Sequence, residues 1–452
     1  MILSESFLTL DFVPLLTSIF AALSCALLGN FLVLRKISLM GDAISHTVLP
    51  GIVFSFLIFE TRGGPLLLLG ATAAAIITTI LVEVAKKLAN LETGAAMGVV
   101  FSSLFALGVL TLEQAAVKNV DLDADCLLYG QLEGLIWTYP SGQTFLETLF
   151  YIPIELYTVI GVFIFTVLFV LTLFKELRLA SFDPAMSTAL GFNATIMHYL
   201  QMIITAAAVV AAFEAVGSIL VIGMLICPAA TARLLTDSLK MQLAISLLVA
   251  FCTATLGYFL GTQGPYWLGL DMSLSASGMM LVVAGLIFLV VTIIAPQYGL
   301  LAKVRHQRIL ASKIILEDIL GILFRCQEKS SDDSIYTLSE IRKRIPHPCN
   351  NSLLKRAIRL GLKDRLITPL TPALIEASTI LQLTKEGHQQ AEKIVRSHRL
   401  WENYLLEHAN LSSRQVHKPA QSLEHITNTE ILKQLADQSS NPKVDPHGKN
   451  IP

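Results

Sequence analysis

Arg35-Lys36-Ile37-Ser38-Leu39-Met40-Gly41-Asp42-Ala43-Ile44-Ser45-His46-Thr47-Val48-Leu49-Pro50-Gly51 decides how the rest of this chain is read. An apolar run over 12–34 precedes it, and a second run to residue 59 contains its end. About 20 apolar residues cross a bilayer as a helix, so both runs predict membrane spans. Two cations between spans mark a cytoplasmic connection. Asp42 and His46 stand at i and i+4, which places them on one helix face. Ionisable groups at membrane depth are costly and usually functional. A carboxylate and an imidazole so placed supply two ligands for a divalent cation. The plainer alternative is a hydrogen-bonded pair joining two helices.

Outward from this stretch, further runs predict spans at roughly 65–85, 94–112, 151–174, 196–213, 216–232, 241–260 and 273–295. Basic residues follow every second span: Lys86 and Lys87, Lys175 and Arg178, Arg233 and Lys240, then Lys303, Arg305 and Arg308. The connection after the fourth span carries Asp121, Asp123 and Asp125 instead, and Arg62 is the one misplaced charge. Nine crossings, an N-terminus outside and a C-terminus in the cytoplasm satisfy this pattern. The turn at Glu214–Gly217 is tight, so eight or ten crossings stay open beside nine. The acidic N-terminus predicts the lead into a membrane helix rather than a cleaved signal.

The chain is 54% hydrophobic and 15% charged, with mean hydropathy +0.64, but its charge is divided. Residues 1–297 hold 10 basic and 18 acidic residues, a net of −8; residues 298–452 hold 23 and 16, a net of +7. Eight of the ten histidines lie in the second part. None of the six cysteines forms a C-x-x-C pair, which argues against a disulfide framework or zinc ribbon. No G-x-x-x-x-G-K-[ST] phosphate loop is present, so ATP hydrolysis is expected in a separate chain. A secondary transporter working without ATP is the rival.

Residues 298–313 form a basic juxtamembrane linker or helix start. Ile314, Ile315, Ile319, Leu320, Leu323 and Phe324 recur with helical period. Thr337 and Glu340 fit a capping box opening a short basic helix, which Pro346 and Pro348 end. Asn350 or Asn351 caps a second helix, and residues 366–383 suit a two-stranded wing. Helix, turn, basic helix and β-ribbon make a winged helix-turn-helix. Residues 342–365 carry eight basic residues against Asp364 alone. Arg342, Lys343, Ser352, Lys355, Arg356 and Arg359 are the candidates for operator DNA, the alternative being a solvated basic face.

Beyond residue 384 the chain concentrates metal ligands. His398 and Glu402 are i, i+4 on an amphipathic helix, His417 follows in a short loop, and Gln421, Glu424 and His425 are i, i+3, i+4 on another. Imidazole with carboxylate and no thiol suits Mn, Fe(II) or Zn rather than Cu(I). Taken singly, each pair would pass for exposed His and Glu on a helix; His398, Glu402, His417, Glu424 and His425 together within 28 positions point to a metal.

The Arg35–Gly51 stretch and the block Glu214-Ala215-Val216-Gly217 through Pro228-Ala229-Ala230-Thr231-Ala232-Arg233 together resemble the manganese/zinc/iron family of ABC-importer permeases. Asp183-Pro184 leading to Leu190-Gly191 agrees. The resemblance covers about 10–297 and implies a second permease subunit, a cytoplasmic ATPase and an extracytoplasmic metal-binding protein. It implies Asp42 and His46 as pathway ligands and Pro228–Ser238, with Pro228 breaking the helix and Arg233 at the cytoplasmic edge, as the ATPase-docking loop. Leu383-Thr384-Lys385-Glu386-Gly387, His398-Arg399-Leu400-Trp401-Glu402, Val416-His417, Leu423-Glu424-His425 and the run from Asn441 to Pro452 resemble the diphtheria-toxin-repressor family of metal-dependent regulators. That resemblance implies one metal site of His398, Glu402 and His417, and a second including Glu424, His425 and Asp318. Gln421 stands where that family has Cys or Glu, and Gly321 replaces an expected Glu. It also implies dimers on palindromic operators.

The expected fold is therefore an all-α polytopic membrane domain of about nine transmembrane helices, then a soluble winged helix-turn-helix and a helical metal-binding and dimerisation domain. The expected boundaries are 1–297, linker 298–313, 314–383 and 384–452. The expected place is a bacterial inner membrane, multi-pass, with the C-terminal part cytoplasmic. The expected function is import of Mn²⁺, Fe²⁺ or Zn²⁺ joined to metal-dependent repression, with proteolytic release of the repressor. The alternative is a C-terminal sensor that gates the permease and never meets DNA.

Overall fold

A computed structural model describes residues 5–59, 65–116, 132–137, 151–267, 269, 274–329, 337–370, 379–409, 411–413, 415–439 and 443–452. The expectations placed on Arg62, on Asp121, Asp123 and Asp125, on the wing tip with Pro372, on the polar turn after residue 329, on Asn441 and on the Glu214 side chain lie outside the described residues. The chain divides into two compact units, Met1–Ala302 and Lys303–Pro452.

The first unit is helical because lipid offers no partner to a backbone N–H or C=O, so each span must satisfy its own. Its helices are α1 (Glu5–Leu10), α2 (Phe12–Leu34), α3 (Met40–Phe59), α4 (Pro65–Ala89), α5 (Thr93–Ala116), α6 (Ile154–Thr172), α7 (Phe174–Phe182), α8 (Pro184–Ala189), α9 (Ala194–Val216), α10 (Ser218–Leu235), α11 (Leu239–Thr262), α12 (Gly264–Trp267) and α13 (Ala276–Ile294). Among the described residues, nine are long and apolar enough to cross a membrane. The most enclosed is α2, with 72% of its span window buried; α5 and α13 bury 22% and present their apolar faces outward, as lipid-facing helices do.

Small and polar residues set the packing around α2. A Cβ at Gly29 would overlap the Leu225 carbonyl, so only glycine lets α2 and α10 meet backbone to backbone. One residue on, buried Asn30 donates from Nδ2 to Ala26 O (2.7 Å) and Ser246 Oγ (2.6 Å), and its Oδ1 accepts from Gln242 Nε2 (3.0 Å). That network ties α2 to α11 inside a largely apolar core. Pro50, inside α3, packs on Gly108 of α5. The tight turn between α9 and α10 is a single residue, Gly217, at φ 82° and ψ 161°.

Two sequence readings change here. Pro228 was expected to break its helix; α10 runs through it to Leu235, and Pro228 is buried. Losing one backbone hydrogen bond costs less in an apolar setting than ending the helix and exposing several groups. Only Thr236, Asp237 and Ser238 remain between α10 and α11, with Arg233 Nη1 3.1 Å from Asp237 Oδ1 and the Tyr298 hydroxyl donating to Asp237 (2.8 Å). Of the two alternatives for 298–313, helix start describes it: α14 spans Leu300–Lys329, its residues 303–308 largely exposed. The non-helical break falls earlier, between α13 and α14.

The second unit contains the rest of α14, α15 (Leu338–Arg344), α16 (Asn351–Lys363), β1 (Ile367–Pro369), β2 (Leu381–Leu383), α17 (Lys385–His408), α18 (His417–Leu423) and α19 (Thr429–Gln438). The capping box is formed: Glu340 accepts from the Thr337 N–H at 3.0 Å. Leu338 and Ile341 of α15, Leu354, Ala357 and Ile358 of α16, and Ala391 and Val395 of α17 close on Ile315, Leu316, Ile319 and Leu320 of α14. β1 and β2 pair antiparallel, Ile367 opposite Leu383, as a wing requires. The side chains of Arg342, Lys343, Ser352, Lys355, Arg356 and Arg359 are all exposed. Buried Arg399 of α17 binds Glu328 at the end of α14, the Asn450 carbonyl and, 3.5 Å away, Asp445. The C-terminal segment is thereby held onto the helices that carry the candidate metal ligands.

Gly217→Ala should lower the melting temperature of the detergent-purified chain, because that φ/ψ region costs a residue with a Cβ about 1–3 kcal/mol. An unchanged melt would show that the turn relaxes.

Candidate metal centre

In the first unit the Asp42–His46 pair forms as its spacing predicts, with Asp42 Oδ1 3.3 Å from His46 Nε2. Both side chains are about one third exposed. The His46 ring stacks on Phe101 (centroids 5.5 Å apart) and meets Phe105 edge-on at 5.7 Å, both from α5. Among the described residues no third His, Cys, Asp or Glu joins them in a metal-sized group.

Among the described residues the second unit holds two such groups. In the first, α17 presents His398 and Glu402 inward one turn apart, and α18 begins at His417 directly against them. His398 Nε2 lies 3.1 Å from His417 Nδ1 and 3.2 Å from Glu402 Oε1; His417 Nδ1 lies 2.9 Å from the same oxygen. Donors about 2.0–2.2 Å from one ion, at tetrahedral or octahedral angles, stand about 2.8–3.6 Å apart. The triangle therefore has the dimensions of three ligand atoms around one cation. His398 and Glu402 are buried, whereas the His417 side chain is 53% exposed, which leaves a way in. The other nitrogen of His398, Nδ1, sits 2.7 Å from Glu424 Oε2. A carboxylate behind an imidazole is how ligating histidines are oriented and made more basic.

The second group joins Asp318 of α14, His347 from the turn between α15 and α16, and His425. His347 Nδ1 lies 2.9 Å from Asp318 Oδ2, and His425 Nε2 lies 3.5 Å from Asp318 Oδ1 and 3.7 Å from Glu424 Oε1. His425 Nδ1 is held at 2.6 Å by Glu317. Asp318, Glu424 and His425 thus meet as expected, and Gln421 lies half-buried in α18 just ahead of the last two. Sequence reading missed His347, Glu317 and also His447, whose Nε2 is 3.8 Å from Glu402 Oε1. Only the Pro346-His347-Pro348 setting could have signalled His347, because prolines on both sides stiffen the display of one side chain.

Electrostatics agree with a cation's place. Burial opposes protonation of His398, but Glu402 and Glu424 outweigh it and raise its pKa. Burial likewise opposes protonation of His425, yet Asp318 and Glu317 lift it to about 9. Burial would push Glu402 up, while hydrogen bonds from His398 and His417 bring it down to about 2. Protons on imidazole thus balance the buried carboxylates. A divalent ion would take over that balance and release them.

Residues 10–139 and 143–295 match the model of the ABC 3 transport family. Residues 384–452 match the model of the Iron dependent repressor, metal binding and dimerisation domain. The chain is 37% identical over 290 residues to the manganese transport system membrane protein MntD of Bacillus subtilis, covering 64% of this chain and 92% of that one. It is 34% identical over 297 residues to the zinc transport system membrane protein TroD of Treponema pallidum, covering 64% and 75%. A manganese transport system membrane protein of Bacillus subtilis, MntC, aligns at 29% identity over 396 residues, 86% of this chain and 83% of that one. Among solved structures, PsaBC from Streptococcus pneumoniae in complex with Fab superposes with TM-score 0.52 at 28% identity, over 65% of this chain and 95% of that one.

Metal affinity of the second unit should fall as pH is lowered from 8 to 6, because protons held by the raised His398 and His425 compete with the ion, which must displace them. Titration calorimetry in buffers of different ionisation enthalpy reads the proton release; zero release would contradict imidazole ligation.

Proposed function

The chain belongs to the ABC 3 transport family, and from that premise we propose that its first unit is a permease subunit of an importer for Mn²⁺, Fe²⁺ or Zn²⁺, and its second a metal-dependent repressor. The permease pairs with a second permease subunit in a bacterial inner membrane. A separate cytoplasmic ATPase drives it and an extracytoplasmic binding protein delivers the ion. Asp42 and His46 serve as transient ligands: a carboxylate and an imidazole at 3.3 Å, backed by aromatic rings, hold a divalent ion without enclosing it. Arg233 and the short connection after it meet the ATPase; buried Pro228 shapes the helix end behind them.

The observation that carries the sensing function is the His398–Glu402–His417 triangle with edges of 2.9–3.2 Å. Bound metal favours the DNA-competent dimer only by binding that state more tightly. Arg342, Lys343, Ser352, Lys355, Arg356 and Arg359, all exposed on α15 and α16, meet the operator. A repressor tied to a membrane reaches DNA poorly. Proteolysis near 297–313 would release it, most readily at the exposed non-helical residues Pro296, Gln297 and Tyr298.

A second reading has one observation in its favour. The alignment with MntC covers 86% of this chain, more than the first unit alone, so a protein named for membrane transport shares part of the second unit. There the second unit would gate the permease in cis and leave DNA alone.

Asp42→Ala and His46→Ala should abolish uptake of labelled metal at unchanged protein abundance; wild-type uptake in both would remove them from the pathway. Gel shifts on DNA upstream of the chain's own gene, with and without Mn²⁺ or Fe²⁺, separate the two readings, and absence of a metal-dependent shift favours gating. Arg356→Ala should weaken the shift and reduce its salt slope by about 1. An immunoblot of the native host showing only full-length chain under all metal conditions would count against release.

A further inference from the structure

Ile345-Pro346-His347-Pro348-Cys349-Asn350 is the turn that joins the two helices of the helix-turn-helix. Each proline fixes its own φ and keeps the residue before it extended, so this turn has little freedom. It points one side chain, His347, at the inner wall of the domain, where Nδ1 comes within 2.9 Å of Asp318 Oδ2. The Asp318 carboxylate is 2% exposed, and its ion-pair contacts among the described residues are His347 and His425, with no guanidinium or ammonium beside it. A buried carboxylate needs a cation, supplied either as a proton on imidazole or as a metal.

His425 indicates which. Its Nδ1 is bound to Glu317 at 2.6 Å, which leaves Nε2 as the nitrogen facing Asp318. That Nε2 is buried without a hydrogen-bond partner, and the side chain is 4% exposed. The carboxylate–imidazole arrangement behind it is the one that orients metal-ligating histidines. The donor atoms of Asp318, His347 and His425 all lie within 4.8 Å of one another, with Glu424 Oε1 3.7 Å from His425 Nε2. The His347 side chain is 31% exposed, so the pocket opens to solvent on that side.

We propose that His347 is a metal ligand, so that one divalent cation held by Asp318, His347 and His425 pins the helix-turn-helix turn directly to α14 and to the metal-binding segment. This rests on the metal-sensing reading of the second unit and adds to it. In the His398–Glu402–His417 pocket the ligands come from α17 and α18 alone, so an ion there reaches the DNA-reading helix through packing. An ion at His347 needs no relay. It fixes the residue four positions before α16 begins and therefore the entry of that helix. The donors are two imidazole nitrogens and carboxylate oxygens, a set for Mn²⁺, Fe²⁺, Co²⁺ or Zn²⁺.

The test uses the full chain in lipid nanodiscs and Co²⁺ as the probe, because its visible absorption reports ligand number. Wild type, His347→Ala, His347→Glu and His398→Ala are titrated, with hydrogen exchange of the amides of residues 345–356 followed in the same samples. The expected result is that His347→Ala loses one Co²⁺ equivalent or weakens it at least about tenfold, keeps the equivalent that His398→Ala removes, and loses the metal-induced protection of the turn. His347→Glu keeps an oxygen donor but repels Asp318 when no ion is present, so it should regain part of the Co²⁺ affinity. His347→Ala with wild-type titration and protection would overturn the proposal and leave His347 as an ion-pair partner of Asp318. Failure of His347→Glu to regain any affinity that Ala lost would also count against ligation. If His398→Ala also titrates as wild type, the sensing reading itself fails, which is a separate outcome.

Discussion

A carboxylate taken out of water must be met by positive charge, and the second unit is organised around that demand. Glu402, Asp318 and Glu424 are each 2% exposed. The groups that meet them are mostly imidazoles, and imidazole exchanges a proton for a transition metal near neutral pH. Where permanence is wanted, the chain uses arginine: Arg399 between Glu328 and Asp445 fastens the C-terminal segment for good. Structural clamp and exchangeable site thus differ by one choice of cation, within one helix and one residue of each other at His398 and Arg399.

The same demand operates in the first unit with opposite weight. There, burial among apolar side chains is the norm, and Asn30, Gln242 and Ser246 enter the core as neutral, mutually satisfied groups. Asp42 and His46 are left one third exposed and paired only loosely at 3.3 Å. For the transient-ligand role proposed for this pair, such an incomplete shell would let an ion leave. The pocket built by α17 and α18 buries His398 and Glu402 and leaves His417 half exposed.

Most of this architecture was legible in the sequence. Span positions follow from apolar run length, and the first span was placed at 12–34, where α2 lies. The capping box at Thr337 and Glu340, the i, i+4 pairs at Asp42/His46 and His398/Glu402, and the exposed basic helices follow from local spacing. What escaped was long-range. His347 and Asp318 are 29 residues apart, His425 and Glu317 are 108 apart, and no period connects such residues. Over 298–313 linker and helix start both stayed open in the sequence, because a basic, exposed stretch has no apolar stripe to mark its turns. Pro228 looked like a stop because the rule for proline comes from water, where a broken helix is rehydrated.

Glu424 stands between the two clusters, one oxygen 2.7 Å from His398 and the other 3.7 Å from His425. A single carboxylate placed this way makes the pockets neighbours in an electrical sense. Charge arriving in one is felt in the other without any backbone motion. Were both pockets to hold ions, their occupancies would not add as independent hyperbolas, and that one shared side chain would shape the domain's response to rising metal as much as the strength of either pocket.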